Sequence, residues 1–160
     1  MPINPGSSHG AFPYMSESDR GTLKSASDYT DKIGGTSTDP YFEQMHAMRS
    51  PGQTVQQARE AHQAWIAEQL NIAIVRERYG DHEGAMFSLG MGMHAIMDSY
   101  SAAHEGFKEW AGALRTGPYH LPWDFLTGHN PFRLGAAAIE IQTYYNSFIL
   151  RSRRPNDDGW

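Results

Sequence analysis

Three polar residues, His94, Asp98 and His104, interrupt the apolar stretch "FSLGMGMHAIMDSYSAAH". Read as one helix at about 100° per residue, they fall at about 0°, 40° and −80°, so all three project from one side. A carboxylate buried there without a partner is costly, and buried polar groups persist only when something satisfies them. A divalent cation is an efficient partner for mixed imidazole and carboxylate groups. For an isolated H-x-x-x-D the plainer reading is a structural i, i+4 pair. The spacing returns, however, in His120 and Asp124, where Pro122 is tolerated in the first turn of a helix. The chain has no cysteine, so disulfides are excluded and any metal would be held by His, Asp, Glu or backbone groups.

The elements that must position these groups are legible from caps and periodicity. Residues 1–15, rich in Pro, Gly and Ser, predict an irregular arm. Ser16 and Asp19 have the spacing of a capping box and open a short helix through "SDRGTLKSASDYTD", ending near Asp31. "KIGGTSTDPYFEQMHAMRSPGQ" predicts a long loop with at most one helical turn. Loops of this length in a compact domain are usually functional. Thr54 and Gln57 form a second capping box, after which Val55, Ala58, His62, Trp65, Ile66, Ala73 and Ile74 keep helical period up to Gly80. Asp81 caps the next helix, from about Glu83 to Ala103, whose few interior charges predict burial on most sides. "GALRTGPYHLPWDFLTGHNP" breaks the pattern but accommodates a short helix after Pro122. Asn130 and Pro131 then start a last helix with the stripe Leu134, Ala138, Ile141, Tyr145 and Phe148, before a mobile tail over 151–160. With no alternating strand pattern and no internal repeat, the expected fold is all-α: one compact domain over 1–160, about five helices around the helix that carries the polar residues.

The totals agree with one domain: 160 residues, 39% hydrophobic and 12% aromatic, enough to bury a core around an internal site. A net charge of −5, from 13 Lys+Arg against 18 Asp+Glu, disfavours nucleic acid as partner, because there is no global basic surface to displace counterions. No apolar run approaches the roughly 20 residues of a bilayer span, and "MPINPGSSHGAF" lacks the charged start and long apolar stretch of a secretory leader.

"LGMGMHAIMDSYSAAH" resembles the segment L-G-x-x-x-H-x-x-x-D-x-x-x-x-x-H of the zinc-dependent phospholipase C and single-strand nuclease superfamily. There too a second H-x-x-x-D or H-x-x-x-E follows, as His120 and Asp124 do here. The family also has an upstream Asp and His 14 or 15 residues apart before a long helix, matched by Asp31 and His46. The resemblance covers about residues 28–125. It implies one metal site of His46, His94 and Asp98, with Asp31 as a further ligand or general base, and a second site of His104, His120 and Asp124. Asp31 and Asp98 are the residues it marks as catalytic. The implied cofactor is zinc, two or three ions, and the implied chemistry is hydrolysis of a phosphate ester by zinc-activated water. For a third ion the family uses its N-terminal amine, an early His and a bridging carboxylate. Asp98 and His9 match the last two, but this chain begins Met-Pro and lacks the family's N-terminal Trp. It also has "SYSAAH" where the family often has Gln-Pro before the final His.

A second resemblance is narrower: "HAMRSPGQTVQQA", "MHAIMDS" and "AHEGF" are similar to C-terminal toxin domains of Rhs-type polymorphic bacterial toxins. It implies an antibacterial effector delivered into a target cell by an Rhs-type protein, with a cognate immunity protein as second partner. The expected function is thus a phospholipase C-like phosphodiesterase toxin acting on phospholipid. A nuclease using the same centre, and a non-catalytic helical domain with a structural metal, are the alternatives.

The remaining candidates have simpler readings. His62 lies on an apolar stripe and reads as a hydrogen-bonded core histidine, and His82 at a helix start as solvated. Glu105 neighbours a ligand candidate and reads as a structural or supporting residue; His129 reads as a loop histidine near the second pair, with a supporting or substrate role as the alternative. Met86, Met91, Met93 and Met97 read as core filling, and Phe107, Trp110 and Trp123 as packing that flanks the site.

Overall fold

A computed structural model of the chain describes residues 15–34, 40–101, 104–110 and 131–153. The fold is all-α. Helices α1 (Glu17–Gly34), α3 (Val55–Arg78), α4 (His82–Tyr100) and α5 (Pro131–Ser152) are long; α2 (Pro40–Glu43) is one turn, continued by a 3₁₀ turn over Gln44–His46. The count is therefore four long helices among the described residues, against the five expected. The arm over 1–14 with His9, the helix expected after Pro122, and His120, Trp123, Asp124 and His129 lie outside the described residues, as do 154–160.

The caps form as their residue types dictate. Ser16 Oγ accepts the Asp19 amide at 3.0 Å at the start of α1. Thr54 and Gln57 exchange both bonds of a capping box before α3. α3 ends with Gly80 at φ 81°, and the Gly80 and Asp81 amides donate back to Glu77 and Arg76 carbonyls, a Schellman closure. Asp81 then caps α4 by accepting the Gly84 amide at 3.0 Å. So α3 and α4 form a tight antiparallel hairpin.

Three helix boundaries differ from expectation. α1 continues past Asp31 to Gly34, because Ile33 packs on the Met45, Trp65 and Ala95 cluster and tertiary burial extends the last turn. Consequently Asp31 is a helical residue. α4 stops at Tyr100, with Ser101 extended; Ser99 Oγ takes the Ile96 carbonyl at 2.7 Å, a local bond that competes with the helix ladder. α5 runs through Ser152, so residues 151 and 152 are helix and not tail. Met15, the end of the expected arm, is buried in the core, while Val55 on the α3 stripe is exposed.

α4 is the central helix, and the run "LGMGM" explains how two of its partners reach it. A Cβ on Gly90 would stand 2.6 Å from Ala26 Cβ and 2.9 Å from the Leu23 carbonyl oxygen, and one on Gly92 would strike the phenol of Tyr144. Glycine at these positions therefore admits α1 on one side and α5 on another. Leu23, Leu70, Met86, Leu89, Met93, Ile96, Ile141 and Phe148 fill the core between them. The contacts Leu23 to Gly90 and Ser27 to His94 run α1 parallel to α4. The C-terminal turns of both helices thus arrive at the same end of the bundle.

Candidate metal centre

Asp31 lies in the last turns of α1 and Asp98 in the last turn of α4. A helix C-terminus carries partial negative charge, which disfavours carboxylates and favours a cation. Two carboxylates at two converging C-termini are therefore an unfavourable arrangement unless positive charge answers them.

Three histidines face Asp98. Its Oδ2 is 2.9 Å from His46 Nδ1, 3.2 Å from His94 Nε2 and 3.8 Å from His104 Nε2. His94 Nε2 is also 3.2 Å from His46 Nδ1 and 3.6 Å from Asp31 Oδ1. The rings of His46 and His94 meet edge to face at 5.1 Å, and those of His46 and His104 stack at 6.4 Å. One ligand atom each from Asp31, His46 and His94 lies within 4.8 Å of the others. Nitrogen and carboxylate oxygen donors at these separations fit zinc, which takes four such ligands in a tetrahedron. The pocket is graded: the side chains of His94 and His104 are 6% and 1% exposed, Asp98 18%, and Asp31 66%. Asp31 stands on its open side.

The electrostatics separate the two carboxylates. For Asp98, burial alone would raise the pKa; the imidazoles of His94 and His104, with hydrogen bonds from His46 and His94, outweigh it and hold the group well below the usual carboxylate range. Asp31 goes the other way. Its partial burial, with Asp98 nearby, raises it despite the pull of His94 and His46.

His46 ends the 3₁₀ turn and His104 lies in a turn beyond α4, and the structure binds these two segments to one another. The Arg49 amide donates to the Lys108 carbonyl at 3.1 Å and the Trp110 amide to the Arg49 carbonyl at 2.9 Å, making an isolated parallel bridge. Ala47, directly after His46, and Phe107, three residues after His104, both adopt positive φ, 50° and 53°. Such conformations cost of order 1–3 kcal/mol for residues with a Cβ and persist where the surroundings over-determine them. Here both residues are buried in one small cluster with Ala58. His62 connects the two segments: its Nδ1–H donates to the Gln44 carbonyl at 2.6 Å, and its ring edge packs on Phe107 at 5.5 Å. It is the hydrogen-bonded core histidine expected from its stripe, and burial lowers its pKa.

Of the seven residues proposed as ligands from the sequence, five are described and all five meet here. His104 arrives by a different route from the one expected. Since α4 ends at Tyr100, it reaches Asp98 from a turn, its amide bonded to the Ser101 carbonyl at 3.2 Å, and not by helical phase. His82 is not simply solvated: it sits between Glu77 Oε2 at 2.7 Å and Asp19 Oδ1 at 3.0 Å. Glu105 pairs with Arg133 of α5 at 2.8 Å. The sequence reading missed Ser27, whose Oγ is 3.0 Å from His94 Nδ1; within "KSASD" it carries no signal beyond a helical surface position.

No family model matches this chain, and neither a curated protein nor a solved structure matches it.

Proposed function

We propose that the cluster is a zinc centre and that the protein is a metal-dependent phosphodiesterase of phospholipase C type. The observation that carries this reading is the convergence of Asp31, His46, His94 and Asp98, from α1, the 3₁₀ turn and α4, on distances of 2.9 to 3.6 Å. Bound zinc would supply a more acidic water and stabilise charge developing on a phosphate ester. The chain's own residues divide the rest. His46, His94 and Asp98 hold the cation. Asp31, exposed and with a raised pKa, accepts the proton of the attacking water at the open side of the pocket. His104, with His120 and Asp124, serves a second ion. The net charge of −5 favours a lipid substrate over a polyanionic nucleic acid, and delivery as an Rhs-type effector with an immunity partner is the setting the sequence resemblance supports.

Native mass spectrometry gives the first test, with two or more zinc ions per chain expected; less than one tightly bound ion rejects the catalytic reading. The second compares headgroup release from mixed phospholipid vesicles with cleavage of single-stranded DNA and RNA by the zinc-loaded protein. Headgroup release is expected. Nuclease activity alone would reassign the substrate while leaving the centre in place. His94→Ala and Asp98→Ala should each abolish zinc uptake at their own site, and with it hydrolysis, while circular dichroism keeps the helical signal.

A further inference from the structure

Ser27 departs from the habit of hydroxyl residues within these helices. Thr22, Thr30, Ser88, Thr143 and Ser147 each return their hydroxyl to the carbonyl four residues earlier, the usual fate of a hydroxyl within a helix. Ser27, buried on α1, instead directs its Oγ across the helix interface to His94 Nδ1 at 3.0 Å. The contact exists because α1 lies close against α4 over Gly90, where a Cβ would not fit.

The two nitrogens of His94 therefore have divided surroundings. Nε2 faces Asp31, His46 and Asp98; Nδ1 faces the Ser27 hydroxyl. A neutral imidazole that gives its Nε2 lone pair to a cation must carry its proton on Nδ1, and a buried N–H left without an acceptor costs about 1–3 kcal/mol. Ser27 Oγ stands where that acceptor is required. Because a hydroxyl both donates and accepts, the same contact also survives in the cation-free protein with its direction reversed.

We propose that Ser27 is a positioning residue: it accepts the Nδ1–H of His94 when Nε2 serves a cation, fixing the ring's orientation and tautomer toward Asp31, His46 and Asp98. This rests on the cluster being a zinc centre. Metal-ligating histidines depend on such partners, and losing one typically weakens metal affinity by about 10–100-fold.

The test uses the full chain as wild type, Ser27→Ala and Ser27→Thr. Zinc affinity is read by competition with a chromophoric chelator, and the Nδ1–H of His94 by proton–nitrogen correlation spectra of the zinc-loaded protein. Ser27→Ala should lose about 10–100-fold in zinc affinity and the exchange-protected Nδ1–H resonance; the thermal midpoint of the zinc-free protein should fall as well, because the contact is also present there, while circular dichroism keeps the helical signal. Ser27→Thr, which keeps the hydroxyl, should restore both. Wild-type zinc affinity in Ser27→Ala overturns the proposal. So does the absence of a protected Nδ1–H resonance from the zinc-loaded wild type, a result that needs no variant to fold. Zinc-free wild type that takes up no zinc overturns the metal reading itself, and that failure is visible in the wild-type arm alone.

Discussion

Asp31 Oδ1 and His94 Nε2 stand 3.6 Å apart across the α1–α4 interface, joining a helix-end carboxylate of raised pKa to a buried imidazole. An acid whose folded pKa is raised favours folding when protonated, and that contribution fades as pH rises through the folded value. At neutral pH an ionised Asp31 therefore weakens the cation-free fold, while the same charge attracts a cation. Asp31→Asn should raise the thermal midpoint of the zinc-free protein slightly at pH 7 and lower zinc affinity about tenfold or more. Calorimetry with and without zinc checks both signs; a lowered zinc-free midpoint with unchanged zinc affinity would contradict the assignment.

His62 tests how far the loop-borne ligands depend on what lies behind them. Replacing it with Leu removes the donor to the part-buried Gln44 carbonyl, two residues before His46, and costs about 1 kcal/mol for the lost hydrogen bond. Zinc affinity should fall with stability, because the 3₁₀ turn carrying His46 loosens. The burial-lowered pKa adds a pH signature. A histidine held neutral by the fold contributes stability above its unfolded pKa of about 6.5 and loses it as pH falls toward the folded value. Denaturant titrations at pH 7.5 and 5.5 should show a smaller acid loss in the variant than in the wild type.

What the sequence disclosed followed the reach of each interaction. His94 and Asp98 are one turn apart, so their convergence is a local property that helical period reveals. The capping residues Ser16, Thr54 and Asp81 act within three positions and are equally readable. The end of α4 before Ser101 was not readable, since it depends on Ser99 donating to the Ile96 carbonyl, and the angular argument for His104 failed with it. Ser27 was invisible for a different reason: its role depends on α1 lying close over Gly90, a tertiary fact absent from either segment alone. Ile33 likewise extends α1 through contacts with Met45 and Trp65 that no local signal announces.

His82 ties three helices at the opposite end of α4 from the cluster. It heads α4 and bonds Glu77 of α3 and Asp19 of α1. Its pKa is raised, first by the bond to Glu77 and then, against some burial, by Asp19. A histidine with a raised folded pKa contributes its full stability below the unfolded value of about 6.5 and loses it as pH climbs through the folded one. His82→Gln should therefore destabilise the protein more at pH 5.5 than at pH 8.5. The side chain is 54% exposed, so the effect is small and shrinks further in 1 M salt. A variant equally destabilised at both pH values would show that the bridge carries no charge-dependent part.

Gly92 gives the sharpest test of the packing that holds α4 in place. An added Cβ would meet the Tyr144 hydroxyl and lie 2.7 Å from its Cζ, while that hydroxyl donates to the Ile66 carbonyl at 3.1 Å. The ring cannot retreat without breaking a bond to α3, so Gly92→Ala should destabilise by about 1–3 kcal/mol, the usual range for overpacking a filled core. Tyr144→Phe alone should cost about 1 kcal/mol for the lost hydrogen bond. In the Gly92→Ala background the same change removes the atom nearest the new methyl, so the double variant should be more stable than the sum of the single losses, though still below wild type because Cζ remains close. Urea denaturation of the four proteins gives the coupling directly; strict additivity would mean that α5 shifts as a body to admit the methyl group.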